Sequence, residues 1–309
     1  MGGSGGGSYF SGRTSAEELR KQVLDAEERT QDEAFETNAS GLLNSVLADV
    51  NSRNADALRQ HMETLQQALE TEIEGTVDLR FGGSVARHTF VDGLSDADAL
   101  VILNKSELRE FTPAQVRAYF AERLNERLPN SEVEVGRLAV TVKFGDIDVQ
   151  LIPALRVGSA VRIPEGDGER WSEAVQPDRF ARELTRVNQS LNSKLVPTVK
   201  LAKVMIAGLP EQHRLSGYHT EALAIRVFES YQGPRSTKAM LRHFFNKAPK
   251  LVREPITDTT GQSARVDEYL GKAGSLQRRI VADALARIGR SIVTADRSRS
   301  VEQWQDLLG

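Results

Sequence analysis

Three aspartates lie at the start of, or inside, segments that read as buried strands. Asp96 and Asp98 stand at the beginning of an apolar run at residues 99–103, and Asp148 lies inside a later apolar segment. Side chains two positions apart on a strand point to the same face, so we expect Asp96 and Asp98 to face one way. Carboxylate oxygens are the ligands that Mg²⁺ prefers, and this cation keeps room for phosphate oxygens. The sequence therefore predicts a divalent-metal site formed by Asp96, Asp98 and Asp148.

Asp146 is an alternative to Asp148 as the third carboxylate. It lies two residues earlier and would face the same side of a strand. It also follows Gly145 in a segment typical of a turn, where aspartate occurs for structural reasons. We favour Asp148 and keep Asp146 as the second candidate.

A glycine-serine turn precedes the first two aspartates. Gly83 and Ser84 follow a short apolar segment at residues 77–81, and residues 85–89 are expected to form a short helix. Glycine turns and the free N–H groups of a helix start bind anions, so Gly83 and Ser84 are candidate phosphate-binding residues. Arg87 either reaches a phosphate or only covers the surface, and the sequence leaves both open.

Two helices are predicted before the first strand. Ser15 begins an S-x-x-E capping box, and the apolar residues between 39 and 50 and between 58 and 73 repeat every three to four positions. Gly75 is expected to end the second helix. We expect both helices to brace the catalytic lobe.

The aspartate-bearing segments belong to a region of mixed strands and helices. Thr112 followed by Pro113 predicts the start of a helix, because proline is favoured at the first helical position. The apolar residues between 133 and 144 predict paired strands that lead to Asp148. Residues 156–177 are rich in Gly, Pro and charge, which indicates a loop between lobes.

The remainder of the chain is predicted to be mostly helical. Helical patterns begin at Pro177, Leu195, Ser216, Thr237, Leu276 and Val301. With 309 residues the chain is long enough for two packed units. We therefore predict an α+β, bilobal protein with a flexible tail or cloning remnant at residues 1–13. A catalytic lobe at 14–170 has a mixed sheet, and a helical lobe follows at 171–309.

Composition excludes several classes of protein. The net charge of −3 argues against a protein that coats nucleic acid, and the absence of cysteine excludes disulfides and thiolate metal sites. No apolar run reaches the roughly 18 residues of a membrane span. A cytoplasmic protein without membrane contact is expected.

The order of these motifs resembles that of the nucleotidyltransferase superfamily of DNA polymerase β. In this superfamily a Gly-Ser loop holds a triphosphate and three carboxylates hold two metal ions. The later segments VPTVKLAKVMIAG, RLSGYHTEALAIRVF and PITDTTGQSARVDEYL resemble the helical lobe of the oligoadenylate synthetase and cyclic GMP-AMP synthase branch. Roughly residues 35–290 resemble a bacterial CD-NTase, a second-messenger synthase of CBASS antiphage systems.

This resemblance implies roles for further residues. Lys203 matches the lysine that contacts donor phosphates, and Ser216 and Tyr218 match the serine and the base-stacking tyrosine. Lys200 and Lys203 are three positions apart on a predicted helix, so one or both can approach a triphosphate. His219 is expected to be structural.

The resemblance also implies an activity with NTP substrates and two Mg²⁺ or Mn²⁺ ions. Condensation of NTPs into a cyclic di- or trinucleotide is the first hypothesis; a linear oligonucleotide, or NMP transfer to another acceptor, is the second. A non-catalytic nucleotide sensor is the third. The chain has no cysteine-rich zinc module or obvious basic patch, so double-stranded nucleic acid is not an expected activator.

Partners and quaternary state follow from the same resemblance. A monomer or weak oligomer that works with a CBASS accessory protein is expected. A partner that conjugates Gly309 through its carboxylate is a further conjecture, although a terminal glycine often has no such role.

Overall fold

The computed structural model describes residues 16–52, 55–70, 75–91, 97–145, 147–261 and 265–309. Asp96, Asp146 and Ser15 lie outside these residues. The elements of the first half are α1 (Ala16–Ser52), α2 (Ala55–Glu70), β1 (Gly75–Phe81), α3 (Gly83–Ala86), β2 (Ala97–Ser106), α4 (Pro113–Arg127), β3 (Glu132–Val135), β4 (Val140–Lys143), β5 (Asp148–Val157) and β6 (Ala160–Arg162). Those of the second half are α5 (Pro177–Ser190), α6 (Leu195–Ala207), α7 (Gly217–Phe228), α8 (Thr237–Leu251), α9 (Leu276–Arg297) and α10 (Val301–Leu308).

The sheet is mixed, with strand order β1-β2-β5-β4-β3, and β6 extends it beside β5. β2 and β5 are parallel, and the other neighbouring pairs are antiparallel. A parallel pair needs a long crossover, and here α4, β3 and β4 supply it. Thr112 starts α4 as predicted: its hydroxyl accepts from the Gln115 backbone N–H, while the Gln115 side chain accepts from the Thr112 N–H.

One face of the sheet packs against α2 and α4. Alternate residues of β2 point into this core, as the two-residue period of a strand requires, and α4 contributes one stripe of its surface. The core includes Leu65, Ala99, Val101, Leu103, Phe120, Leu124, Val149 and Leu151. The polar residues near the start of β2 and β5 lie on the opposite face of the sheet.

A second core lies among the helices of the C-terminal half. It is built from α5 to α10 and also contains Phe35, Ala39 and Leu43 of α1. The prediction that both N-terminal helices brace the catalytic lobe is therefore wrong for α1, which packs against α6, α8 and α10. Periodicity shows that a helix has an apolar face but not which lobe covers it.

Three other local predictions are corrected by the structure. Gly75 does not end α2 but begins β1, and α3 covers residues 83–86 instead of 85–89. The predicted loop at 156–177 contains β6, which forms a hairpin with the end of β5 through the turn at Gly158. The strand signal is weak there because the segment is only three residues long.

Candidate active site

Asp98 and Asp148 lie on the same face of the sheet, on neighbouring strands. In the parallel register of β2 and β5, Ala97 pairs with Val149 and Asp98 pairs with Gln150. Paired residues point to the same side, and Asp148 shares the side of Gln150 because it is two positions away. Ala97 and Val149 are fully buried in the core beneath α4, so the two aspartates face the other way.

The glycine-serine turn is joined to Asp98 by a backbone hydrogen bond. The backbone N–H of Gly82 donates to the Asp98 carbonyl at 2.7 Å. Gly83 has φ +48°, and a Cβ at this position would overlap the Asp98 carboxylate oxygen Oδ2. Glycine is therefore required at 83 both for its backbone conformation and for the space that the aspartate occupies.

Ser84 is held by the turn that follows it. Its side chain is buried, and its carbonyl accepts backbone hydrogen bonds from Thr89 and Phe90 at 2.9 and 3.1 Å. The structure therefore brings Gly83, Ser84 and Asp98 together, as the sequence predicts for a phosphate-binding turn beside a carboxylate. Asp148 joins them across the strand pair.

A buried carboxylate, Glu221 of α7, connects the two lobes behind this turn. It is fully buried and accepts hydrogen bonds from Lys203 Nζ at 2.8 Å, Arg87 Nε at 2.6 Å and the Thr89 hydroxyl at 2.5 Å. Lys203 also donates to the Thr89 carbonyl at 2.9 Å. Arg87 and Thr89 belong to the catalytic lobe, whereas Lys203 and Glu221 belong to the helical lobe, so this network fixes the lobes to each other.

The electrostatics of this network favour the charged form of Glu221 and disfavour that of Lys203. Burial alone would raise the pKa of Glu221, but the charges of Lys203 and Arg87 and their hydrogen bonds hold that pKa below its ordinary value. Burial lowers the pKa of Lys203, and the charge of Arg87 lowers it further. The carboxylates of Glu221 and Asp98 act in the opposite direction. Lys203 thus lies within electrostatic reach of Asp98 as well as of Glu221.

The start of α7 lies beside Lys203. Ser216 caps this helix by accepting from the His219 backbone N–H, and a Cβ on Gly217 would lie 3.5 Å from Lys203 Nζ. Lys203 and Ser216, two predicted nucleotide-binding residues, are therefore close neighbours. Tyr218 follows on the first turn of the same helix.

Tyr218 presents an aromatic ring at the boundary between the lobes. Its hydroxyl donates to Asp258 at 2.9 Å, and its ring packs edge-on against Phe180 with centroids 4.7 Å apart. The Arg87 guanidinium lies over both rings, 5.3 Å from that of Phe180 and 5.6 Å from that of Tyr218. A cavity of about 600 Å³ opens here. Its lining includes Tyr218, Asp258 and Ile163, the residue that follows β6.

Lys200 lies apart from the other predicted site residues. Lys200 lies one helical turn before Lys203 on α6, but its ammonium donates to Asn51 of α1. Burial lowers the pKa of Lys200, and the nearby charge of Lys203 adds to this effect. A contact between Lys200 and a nucleotide remains a prediction.

His219 has a structural environment, as the sequence suggested. It is fully buried, with Nδ1 2.9 Å from the Tyr269 hydroxyl and Nε2 3.6 Å from Asp267. Burial lowers the pKa of His219 to about 4, although the charge of Asp267 opposes the shift. Asp267 is also held by the buried Arg278 at 2.7 Å.

The two described aspartates fit divalent metal ions. Both offer hard oxygen ligands on one face, next to a glycine that leaves room for a carboxylate. Within the described part of the chain there is no group of three or more His, Cys, Asp or Glu side chains placed to hold a metal. Asp96, the other predicted ligand, lies outside that part.

Sequence reasoning missed Glu221, Thr89, Phe180 and Asp258, and left Arg87 undecided. One signal for Glu221 was available, because it lies in the apolar segment EALAIRVF of a helix. A carboxylate inside such a segment is costly to bury unless it is paired. No pattern in the sequence identifies its partners, since Thr89 and Arg87 lie 132 and 134 residues away and Lys203 lies 18 residues away on another helix.

Comparison with known proteins supports this description of the fold. Residues 38–188 match the family model of the SMODS domain, the Second Messenger Oligonucleotide or Dinucleotide Synthetase domain. No curated protein matches the chain.

None of the described helices has the length and apolar character needed to cross a membrane.

Three solved structures illustrate the likeness. CdnC from E. coli MS115-1 with ATP has a TM-score of 0.62 at 18% identity, covering 86% of this chain and 96% of that one. Escherichia coli DncV in its 3'-deoxy GTP bound form has a TM-score of 0.62 at 12% identity, covering 96% and 90%. CdnE c-UMP-AMP synthase from Rhodothermus marinus has a TM-score of 0.55 at 17% identity, covering 74% and 89%.

The mixed sheet, the helical second lobe and these likenesses define a bilobal α+β nucleotidyltransferase fold. Residues 38–188 match the model of the SMODS domain, and the predicted resemblance of the chain to the CD-NTases is confirmed.

Proposed function

We propose that this protein is a metal-dependent nucleotidyltransferase that condenses NTPs into a cyclic di- or trinucleotide second messenger. The observation that carries the proposal is the register of β2 and β5, which sets Asp98 and Asp148 on one face beside the Gly83–Ser84 turn. The SMODS match over residues 38–188 supports nucleotide condensation as the reaction class.

In this proposal each carboxylate has a separate task. Asp148, at the first position of β5, accepts the proton of the attacking ribose hydroxyl. Asp98 lies against the glycine turn and so faces the phosphates. Asp96 completes the set of three ligands. The chemistry supplied by two bound Mg²⁺ or Mn²⁺ ions would be activation of the hydroxyl and neutralisation of the leaving pyrophosphate.

The donor nucleotide is bound by groups from both lobes. The backbone at Gly83 and Ser84 receives the phosphates, Lys203 and Lys200 supply positive charge, and Tyr218 offers a flat surface to the base. Base stacking on an aromatic ring contributes about 1–3 kcal/mol. Ser216 caps the start of α7, next to Gly217, whose backbone lies beside Lys203.

The alternatives concern the product and the existence of turnover. A linear oligonucleotide, or NMP transfer to another acceptor, would use the same carboxylates. A non-catalytic sensor would bind NTP without releasing pyrophosphate. Chromatography of the products before and after phosphatase treatment separates ring from linear product, because a ring has no terminal phosphate to lose.

The biological setting is part of the proposal. We place the protein in antiphage defence of the CBASS type, in the cytoplasm, as a monomer or weak oligomer. One structural neighbour is described as a CdnC:HORMA-deltaN complex, which supports the idea that a CBASS accessory protein acts on this chain. Conjugation through Gly309 is kept as a conjecture.

The deciding experiment incubates the purified protein with each radiolabelled NTP, with Mg²⁺ or Mn²⁺, and separates the products. The proposal predicts pyrophosphate release and a phosphatase-resistant product. The variant Asp96→Asn with Asp98→Asn should keep its circular dichroism spectrum and lose turnover. Unchanged pyrophosphate release by this variant contradicts the assignment.

A further inference from the structure

The start of α7 is capped with the help of a residue from another segment. A helix start leaves backbone N–H groups without partners inside the helix, and Ser216 satisfies one of them by accepting from the His219 N–H. In the reciprocal form of such a cap, a glutamate or glutamine at the position of His219 accepts from the N–H of the capping serine. Here that position is a histidine, and the Ser216 N–H donates to Tyr269 instead.

The Tyr269 hydroxyl lies between the two residues of this cap. It accepts from the Ser216 N–H at 3.0 Å and lies 2.9 Å from Nδ1 of His219. A phenol has one hydrogen to donate, and the carboxylate of Asp267, 3.6 Å from Nε2, favours a hydrogen on that other ring nitrogen. We therefore assign the phenol hydrogen to the bond with Nδ1 and the imidazole hydrogen to Nε2. In this arrangement the hydroxyl of Tyr269 joins the histidine side chain to the Ser216 N–H.

The segment that carries Tyr269 is anchored on both sides of this residue. Asp267 is fully buried, pairs with the buried Arg278 at 2.7 Å and accepts from the Ile256 N–H. Leu270 is buried in the core of the helical lobe. Tyr269 itself is 52% exposed, so its ring adds less to the core than a buried ring would. The hydroxyl, with its two partners, is the part of this side chain that has a specific task.

The cap lies beside the lysine that is proposed to bind phosphate. A Cβ on Gly217 would lie 3.5 Å from Lys203 Nζ, so the first turn of α7 borders this ammonium. Ser216 directly precedes Gly217, and its carbonyl accepts from the backbone N–H and the hydroxyl of Thr220 at 2.9 and 3.0 Å. Both backbone polar groups of Ser216 are therefore held, and the Tyr269 hydroxyl holds one of them.

We propose that Tyr269 is a positioning residue of the nucleotide site. Its hydroxyl holds Ser216 in the conformation in which the serine side chain contacts the NTP beside Lys203, a clause that rests on the proposed function. Tyr269 acts through Ser216 and does not itself touch the nucleotide. The cap geometry stands apart from the proposed function.

A double-mutant cycle tests the action through Ser216. Tyr269→Phe keeps the ring and removes the hydroxyl, and the KM and kcat for pyrophosphate release are measured with each of the four NTPs. The proposal predicts a KM at least fivefold higher with kcat within twofold, because the loss concerns substrate binding. In a Ser216→Ala background the same substitution should change the KM by less than twofold, because the side chain that Tyr269 positions is absent.

Tyr231→Phe is the matched control. Tyr231 lies beyond the other end of α7, and its hydroxyl donates to the Pro234 carbonyl at 2.8 Å. The substitution therefore removes one hydroxyl hydrogen bond in the same lobe, away from the nucleotide site. The KM of this variant should stay within twofold of the wild-type value.

A second measurement needs neither turnover nor nucleotide. Hydrogen exchange followed by NMR reports the protection of the Ser216 amide in the protein without NTP. Exchange at this amide should be at least tenfold faster in Tyr269→Phe than in the wild type, and unchanged in Tyr231→Phe. The nitrogen resonances of the wild-type His219 imidazole should show the hydrogen on Nε2.

Three results overturn the proposal: a Ser216 amide that exchanges in the wild-type protein as fast as an exposed amide, an unchanged KM in Tyr269→Phe, or an equal change of KM in the Ser216→Ala background. If the wild-type protein binds NTP but releases no pyrophosphate, the proposed function fails, and the cycle is judged by the Kd from calorimetry with the same thresholds. Absence of any NTP binding overturns both proposals.

Discussion

The ammonium of Lys203 and the carboxylate of Glu221 lie 2.8 Å apart, and neither side chain is more than 8% exposed. The pair joins α6 to α7 and reaches the catalytic lobe through Thr89 and Arg87. The lysine proposed to bind phosphate is thus held in place before any nucleotide arrives.

Removal of the Glu221 charge should destabilise the protein strongly. Glu221→Gln leaves Lys203 and Arg87 without their shared counter-charge, and breaking a buried ion pair in this way costs about 3–5 kcal/mol. Urea unfolding followed by circular dichroism measures the loss. Glu134→Gln removes the carboxylate from an exposed pair of similar length, 2.6 Å from Lys143, and should leave the midpoint unchanged. Equal midpoints for both variants would contradict the role given to Glu221.

Gly83 should tolerate no side chain. Gly83→Ala combines a positive φ with a direct overlap on the Asp98 carboxylate, so pyrophosphate release should fall by about a hundredfold or more, because Asp98 must move. Gly158 has a similar φ of +62° but no atom within 4 Å of a Cβ. Gly158→Ala should cost about 1–2 kcal/mol of stability and keep activity. Activity in Gly83→Ala comparable to that of Gly158→Ala would show that the overlap has no consequence.

The ring of Tyr218 should matter more than its hydroxyl. Tyr218→Phe keeps the ring contacts with Phe180 and Arg87 and loses the hydroxyl that donates to Asp258. Tyr218→Ala removes the stacking surface, and a loss of about 1–3 kcal/mol corresponds to an increase of about 5- to 150-fold in the KM for NTP. Steady-state kinetics of both variants measures this. The stacking role is wrong if Tyr218→Ala and Tyr218→Phe have the same KM.

His219 should titrate far below an ordinary histidine. Burial lowers its pKa to about 4, so the native state keeps it neutral through the range in which an unfolded histidine, near pKa 6.5, takes up a proton. The unfolded state therefore binds more protons between about pH 4 and 6.5, and stability falls as the pH decreases through that window. NMR of the imidazole resonances gives the pKa directly, and a midpoint near 6.5 would contradict this account. His219→Asn should reduce the dependence of the unfolding free energy on pH in the same window.

The sequence predicts the parts of this protein that depend on local pattern. The α4 start at Thr112 and Pro113, the helices of the second lobe and the strand that begins at Asp148 follow from capping, periodicity and alternation. Gly83 and Ser84 beside Asp98 follow from motif order, and the structure places them together.

What the sequence leaves open depends on contacts between distant residues. The packing of α1 on the helical lobe and the three donors on Glu221 are set by tertiary structure. Lys200 and Lys203 look equivalent on a helical wheel, yet one contacts Asn51 of α1 and the other Glu221 of α7. Only the arrangement of the lobes separates these two lysines.

The central claim is that Asp148 and Asp98 act together beside the glycine-serine turn, and one measurement tests it most directly. Pyrophosphate release is compared between Asp148→Asn and Asp146→Asn, with all four NTPs and Mg²⁺ or Mn²⁺. We predict that Asp148→Asn loses release by about a thousandfold or more, because a metal-ligating carboxylate is removed, while Asp146→Asn retains it. Full activity in Asp148→Asn would contradict the account.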